Sequence, residues 1–354
     1  EIVKLDLIST IFDLFYYMIE NNGSNVYENV FDKDYQNGSR ILQKFLLDGA
    51  QTYLEKIYFD EMRDYIKFNE KKARLGGQGN KESYIKAFHR IYFDNNLSQN
   101  WDKIYIKNEG FYLWPLIYYS FRIGALDCAI NFAKEDLLNA HVIVAALEDI
   151  KNKKNDNIND ELSQKIRKEL YMVYKDKIIK PNGNGFDPYQ NMMYTILGKL
   201  PTNDNKMYKE FIKTCEDYLW YKMVVMTDKE NDFPDYMSVN INGNDNNNEY
   251  MPTTLKELQA RIGELGPSHF DPNNNNPYLF AKILFYTLQF EDGIEYLDKS
   301  TDNENIKLQK IVAAHIGVLL KYYGLLRISS NKYNINNSSY LQGQLNLLLI
   351  VKKY

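Results

Sequence analysis

The sequence predicts an all-α protein, an α-solenoid of stacked antiparallel helix pairs. Three observations carry the prediction. Apolar residues recur at three- and four-residue spacing along most of the 354 residues. Strand-like alternation never survives over more than a few residues. Two stretches share one design, IYYSFRIGALDCAINF at 117–132 and ILFYTLQFEDGIEYL at 283–297. Each runs from an aromatic-rich helix through a tight turn into a second helix. Such pairs cannot bury their apolar faces alone, so they stack. The pairs differ in length and have no fixed period, which excludes a textual repeat array.

The first helix is expected over residues 2–20, with Ile2, Leu5, Ile8, Ile11, Phe12 and Phe15 as its apolar set and 21–23 as its end. A long helix follows over about 39–75, with Ile41, Phe45, Tyr53 and Ile57 inward, stopped by the glycines at 76–79. A shorter one covers 81–93. The pair at 111–135 organises the chain. Leu113, Leu116, Ile117 and Phe121 make the first stripe, and Leu126, Ala129, Ile130 and Ala133 the second. Gly124 between them suits a left-handed turn. The small Ala129 and Ala133 allow a neighbouring helix to approach closely.

Residues 137–150 continue with Val142, Val144 and Leu147 inward. A polar loop is expected at 151–160 and a helix at 161–177. After a loop at 181–186, Asp187-Pro188 starts the next helix, with Asp as cap and Pro at the first helical position. Met192, Met193, Ile196 and Leu197 share its face. A further start near Asp204 leads into Met207, Phe211, Ile212, Cys215, Leu219 and Met223. Residues 233–251 form the least ordered-looking insert. Thr254 with Glu257 makes a capping box. Asn276-Pro277 repeats the cap-plus-proline start for 278–290, a tight turn leads to 294–297, and the last helices are 305–325 and 341–352. The chain is expected to be one continuous helical solenoid fragment over 1–354, and its first residue, Glu1, to make it part of something longer.

Composition narrows the function classes. The hydrophobic fraction of 44% supports a real core, and the net charge of −4 offers no general attraction for nucleic acid or anionic lipid. The basic group Lys151, Lys153 and Lys154 has acids on either side and reads as a solvated helix end. Cys128 and Cys215 lack ligand or redox spacing, which argues against a disulfide framework or zinc module. No apolar run approaches the ~20 residues a membrane helix needs. The 30 tyrosines and the asparagine runs at 246–248 and 273–276 read as codon bias and loop expansion. The same bias accounts for the glycosylation-type tripeptides at 96–98 and 336–338.

Reactive constellations are missing. Gly76-Gly77-Gln78-Gly79-Asn80-Lys81 has the wrong spacing for a phosphate loop and follows a helix. SVNINGNDNNNE at 238–249 places Asn240, Asn242, Gly243 and Glu249 at EF-hand positions, but Ser238 stands where the first carboxylate belongs. His89, His141, His269 and His315 are isolated, and His315 reads as a core histidine among Ile311, Val312, Val318 and Leu319. The pair Glu291-Asp292 reads as solvated charge at a turn. Trp101, Trp114 and Trp220 read as packing anchors. No catalytic, cofactor or metal residue is assigned, and an enzyme is the least supported class.

Four stretches together resemble a known family. LWPLIYYSFRIGALDCAINFAKE at 113–135 resembles the helix pair of the nucleoporin-interacting component family, the inner-ring scaffold (linker) nucleoporins of the nuclear pore complex. DPYQNMMYTILGKLPTNDNKMYKEFIKTCEDYLW at 187–220, LGPSHFDPNNNNPYLFAKILFYTLQFEDGIE at 265–295 and VAAHIGVLLKYYGLL at 312–326 follow in the family's order. The resemblance implies a coatomer-like solenoid that doubles back, with a structural role at the nuclear envelope and no enzyme activity. The motif positions it points to are Trp114, Gly124, Ala129, Asp187, Asp217, Tyr218, Leu219, Trp220, His269, Phe270, Pro277 and Tyr278. The partners it implies are phenylalanine-glycine channel nucleoporins, large inner-ring solenoid nucleoporins and a membrane-proximal linker nucleoporin, with the membrane met only through others and no direct nucleic acid. The sequence departs at Pro115, at the Asn-rich inserts, and in lacking the family's channel-anchoring N-terminal segment and the C-terminal half of its solenoid. A vesicle-coat or proteasome-lid solenoid is the alternative.

Overall fold

The computed structural model describes residues 2–20, 27–75, 79–95, 107–108, 110–155, 162–178, 187–200, 205–227, 253–272, 276–299, 306–328, 340–341 and 344–353. In chain order its helices are α1 (Ile2–Ile19), α2 (Asp32–Gln36), α3 (Arg40–Phe68), α4 (Glu70–Ala73), α5 (Lys81–Asn95), α6 (Leu113–Arg122), α7 (Leu126–Lys134), α8 (Leu137–Asn155) and α9 (Gln164–Val173). Then come α10 (Pro188–Gly198), α11 (Asn205–Phe211), α12 (Cys215–Val224), α13 (Leu255–Leu265), α14 (Pro267–Phe270), α15 (Pro277–Tyr286), α16 (Phe290–Lys299), α17 (Ile306–Tyr323) and α18 (Leu347–Lys353). A π-helical turn, Tyr174–Ile178, extends α9. The strands among the described residues are two-residue antiparallel ladders, Lys107–Asn108 with Phe111–Tyr112 and Tyr340–Leu341 with Gln344–Leu345. The phosphate-loop look-alike at 76–78, the EF-hand look-alike, the insert at 233–251, the tripeptides at 96–98 and 336–338, and Trp101 lie outside the described residues.

The chain divides into two compact units, Glu1–Tyr53 with Thr254–Tyr354, and Leu54–Thr253. In the second, α6 is the central element. All ten of its residues are buried, including Trp114 at 0% exposure. It packs on α5, α7 and α10, while α8 and α9 continue the stack. Pro115 sits in the first turn of α6, where a missing N–H costs no helical bond, and the helix starts at Leu113. Ala129 and Ala133, both at 0%, form the close-approach face of α7.

In the first unit the core forms where α1, α15 and α16 meet. Phe15 lies 5.1 Å from Phe285 and 6.1 Å from Phe290 between ring centroids. The segment before α2 is stitched to the end of α17 by backbone: Asn29 N–H donates to Tyr322 O (2.7 Å) and Phe31 N–H to Tyr323 O (3.0 Å). Gly324 makes this possible. Its φ is +80°, and a Cβ there would stand 2.5 Å from Asp32 N.

One turn closes four helices. The αL residue's N–H bonds three residues back and the next N–H five back, a Schellman geometry. It occurs at Gly124, Lys199, Leu288 and Gly324, with φ of +66°, +49°, +60° and +80°. The pair-like stretches at 117–132 and 283–297 thus share their turn hydrogen bond for hydrogen bond, although one uses Gly124 and the other Leu288.

Caps explain further boundaries. Asp187 accepts from Tyr189 N–H and Gln190 N–H, with Pro188 at the first helical position. Thr254 and Glu257 form the expected capping box. Asn276 does not cap: its side chain makes no cap bond, and its N–H donates instead to Asp271 Oδ2 at 2.6 Å.

Other expectations need correction. The 39–75 helix breaks at Asn69, and Ile41 is 84% exposed. Tyr53 is inward as expected, but the main buried row is Leu42, Leu46, Ala50 and Leu54, one residue along from Ile41 and Phe45. Helix α8 runs on to Asn155, through part of the expected loop, where Lys151 and Lys153 pair with Asp127 and Asp149. The helix expected from 204 onward splits at Thr214, whose hydroxyl caps α12. Helix α15 ends at Tyr286, α18 begins only at Leu347, and α14 was not anticipated. His315 is exposed, on the same face of α17 as Val318 and Tyr322. The buried histidine is His89, whose Nε2 accepts Tyr112 N–H at 3.0 Å.

Candidate functional site

The most elaborate polar site of the second unit is built around Arg122, the last residue of α6. Its side chain leaves an otherwise apolar helix and is 1% exposed. A guanidinium there needs a counter-charge and donors satisfied in place. Nη2 donates to Asp217 Oδ1 at 3.0 Å, and Nη1 to Leu54 O at 3.4 Å. The plane is held between two rings, with its carbon 4.2 Å from the Tyr58 centroid and 4.4 Å from that of Trp220.

Asp217 is fixed from its own side. As the third residue of α12 it completes a capping box, its N–H bonding Thr214 Oγ1 and its Oδ2 accepting Thr214 N–H and Lys213 N–H. One carboxylate therefore anchors the last residue of α6 and caps the start of α12. Leu219 and Trp220 are buried one turn on. Tyr218 is half-exposed, with the Lys222 ammonium 5.6 Å from its ring. Burial drives the Tyr58 hydroxyl well above the ordinary range, with Arg122 pulling the other way, and burial raises Tyr118 and Tyr119 too. These hydroxyls stay protonated.

Nearby, Tyr119 and Tyr189 share a hydrogen bond of 2.9 Å between hydroxyls. Burial pushes the Asp187 carboxyl up to about 8, against the pull of its two backbone donors. A shallow cleft of about 340 Å³ is lined by Lys81, Gly124, Ala125, Leu126, Asp127, Cys128 and Lys151. The Lys151–Asp127 pair lies in it, and burial raises the Cys128 thiol, which disfavours a nucleophilic thiolate. Gly124 lines this cleft at φ +66°, and a Cβ there would stand 2.3 Å from Glu55 Oε2, so a larger residue would be strained and would displace the Glu55 carboxylate. Among the described residues no group of three or more His, Cys, Asp or Glu could hold a metal, and no helix is long and apolar enough to cross a membrane.

The first unit has its own buried polar site, which sequence reasoning missed. Glu291, expected in solvent, is 5% exposed. Its carboxylate accepts Tyr35 O–H at 2.9 Å and Arg327 N–H at 2.7 Å, and burial raises it above the usual range. The Arg327 guanidinium lies 5.0 Å from the Tyr35 ring centroid. In this unit Tyr278 is fully buried, Pro277 opens α15, Phe270 stacks on Phe280 at 5.7 Å, and His269 is exposed.

The expected motif positions thus divide. Trp114, Gly124, Ala129, Asp187, Asp217, Tyr218, Leu219 and Trp220 belong to the second unit, and His269, Phe270, Pro277 and Tyr278 to the first. Arg122 and Tyr58 were not singled out, although a lone basic residue inside the apolar run 113–123 was a usable signal.

Comparison with known proteins now decides the family. A family model described as Nup93/Nic96 matches residues 6–354. The chain belongs to the Nup93/Nic96 family. Among curated relatives, the nuclear pore complex protein Nup93 of Xenopus laevis is 28% identical over 265 residues, covering 72% of this chain and 28% of that protein. Nucleoporin NIC96 of Chaetomium thermophilum is 24% identical over 292 residues, covering 81% of this chain and 24% of that protein. The chain therefore spans about a quarter of the length of these family relatives. Among solved structures, the crystal structure of Chaetomium thermophilum Nic96 SOL matches with a TM-score of 0.73 at 19% identity, covering 97% of this chain and 48% of that one. That likeness shows the fold, an α-solenoid.

Proposed function

We propose that this chain is a scaffold segment of a nuclear pore complex inner-ring nucleoporin, working at the nuclear envelope in protein and mRNA transport. The observation that carries the reading is the family match across residues 6–354. A solenoid suits the role, because stacked pairs bury a continuous core and leave long edges for other chains. The match extends across both units, which supports the whole chain acting as one continuous stretch of solenoid that doubles back. The partners are other nucleoporins: phenylalanine-glycine channel nucleoporins, large inner-ring solenoids and a membrane-proximal linker nucleoporin. The chain holds these and catalyses nothing. Its buried charges support that, since Arg122 is spent on Asp217 and Glu291 on Tyr35 and Arg327. The coat and proteasome-lid alternative is not favoured by the relatives' names. Tagging the full-length protein at its own locus tests the reading. A fluorescent nuclear rim is expected, and a vesicular or diffuse cytoplasmic pattern would overturn it.

A further inference from the structure

The junction of α3 and α4 carries an unusual surface. Phe68 is 90% exposed, the most exposed of the large apolar side chains among the described residues. Tyr65, one turn earlier, is 37% exposed. Around Phe68 stand Lys67, Lys71, Lys72 and Arg74, against Glu70 and, one turn back on α3, Asp64, so residues 64–74 carry a net +2 in a chain whose net charge is −4. A single exposed apolar residue needs no explanation. One set in a basic island on an acidic chain does.

The backbone here is fixed. Ile66 is 3% exposed and Ala73 fully buried. Asn69 N–H bonds Tyr65 O and Ile66 O, and its side-chain amide donates to Tyr65 O at 2.9 Å. Arg90 Nη1 reaches across from α5 to Ala73 O at 3.2 Å. Arg74 closes α4 in the left-handed conformation, φ +48°. Phe68 is thus presented outward between two anchored residues.

We propose that this tip docks on an anionic lipid surface, with Phe68 entering the headgroup boundary and the flanking cations contacting acidic headgroups. That would be a direct membrane contact, where the family resemblance implies only an indirect one. The tip ends one helix and begins another, and the cleft described above lies elsewhere, at Gly124 and Cys128. A protein partner would have to bring its own pocket for the phenyl ring, whereas a lipid interface yields to a projecting side chain. A nucleic acid would use the cations and leave the ring without a role.

The test is sedimentation of the purified 354-residue chain with phosphatidylserine-containing vesicles and with pure phosphatidylcholine vesicles. Preference for the anionic vesicles is expected, falling as salt rises to ~0.5 M. At about fivefold per charge, the net +2 gives roughly a twenty-five-fold preference. Lys67→Glu with Lys71→Glu takes the tip to −2 and should abolish it, and Phe68→Ser should weaken binding several-fold while leaving the salt dependence. All three positions are exposed, so unchanged helicity and melting are required of each variant. Equal binding to both vesicle types, no binding, or binding indifferent to these substitutions would overturn the proposal. So would binding to polyglutamate or RNA that resists competition by anionic vesicles. The nuclear-rim experiment reads a different property, so either result can fail alone.

Discussion

Replacing Asp217 with alanine should damage the second unit more than any other single polar truncation there. The substitution strands the Arg122 guanidinium at 1% exposure. Breaking a buried ion pair from one side costs about 3–5 kcal/mol, and losing the α12 capping box adds about 1 kcal/mol. The Tyr58 and Trp220 faces still hold the cation and return roughly 1–2 kcal/mol of that. The net expectation is a loss of about 2–5 kcal/mol, or roughly 4–20 °C in Tm for a unit of this size. Arg122→Met in the same chain removes the stranded charge at similar volume. The double variant should be more stable than Asp217→Ala alone, with a coupling of about 2 kcal/mol. Urea unfolding followed by tryptophan fluorescence reads this unit selectively, because Trp101, Trp114 and Trp220 all lie within Leu54–Thr253. A loss under about 1 kcal/mol, or a double variant no better than the single, would refute the reasoning.

Three further outcomes follow from other sites. Gly324→Ala forces a side chain onto φ +80° and 2.5 Å from Asp32 N. It should cost about 3 kcal/mol and speed hydrogen exchange at residues 29–36 before other parts of the first unit. Asp187 holds its proton to about pH 8 when folded and releases it near 3.8 when unfolded, so its contribution is full below about pH 4 and is lost as pH rises through 8. Denaturant titrations across that window should show stability falling with pH, by up to about 1.4 kcal/mol per unit, and Asp187→Asn should flatten the slope while keeping the cap. Glu291, also raised, behaves alike in sign. Glu291→Gln keeps a polar side chain between Tyr35 and Arg327 and should cost less in thermal melts than Glu291→Ala, which should cost about 1–3 kcal/mol by leaving the Tyr35 hydroxyl and Arg327 N–H unpaired.

What the sequence showed was local. Asp187-Pro188, the Thr254–Glu257 box and the Gly124 turn are each decided within a few residues, so their chemistry could be read directly. Asn276 looked the same and failed: its side-chain oxygen accepts no N–H of α15, and it is the backbone N–H that is held, by Asp271. In α3 the rows beginning at Ile41 and Leu42 are both apolar, and only packing chose the second. Leu288 adopts a turn that composition would assign to glycine. The polar sites lay further out of reach: Arg122 meets Asp217 across 95 residues and Tyr35 meets Glu291 across 256. Periodicity carries no information on such pairings. Glu291 beside Asp292 looked like any solvated pair at a turn until α2 and the residues after α17 closed over it.

Cross-linking mass spectrometry on isolated nuclear envelopes tests the central claim most directly, since a scaffold exists to lie against other chains. Exposed lysines of this chain away from the 67–74 tip, such as Lys209 and Lys256, should link to other nucleoporins in intact pores. Links confined to vesicle-coat or proteasome subunits, or none to any nucleoporin while the protein is abundant in the sample, would contradict it.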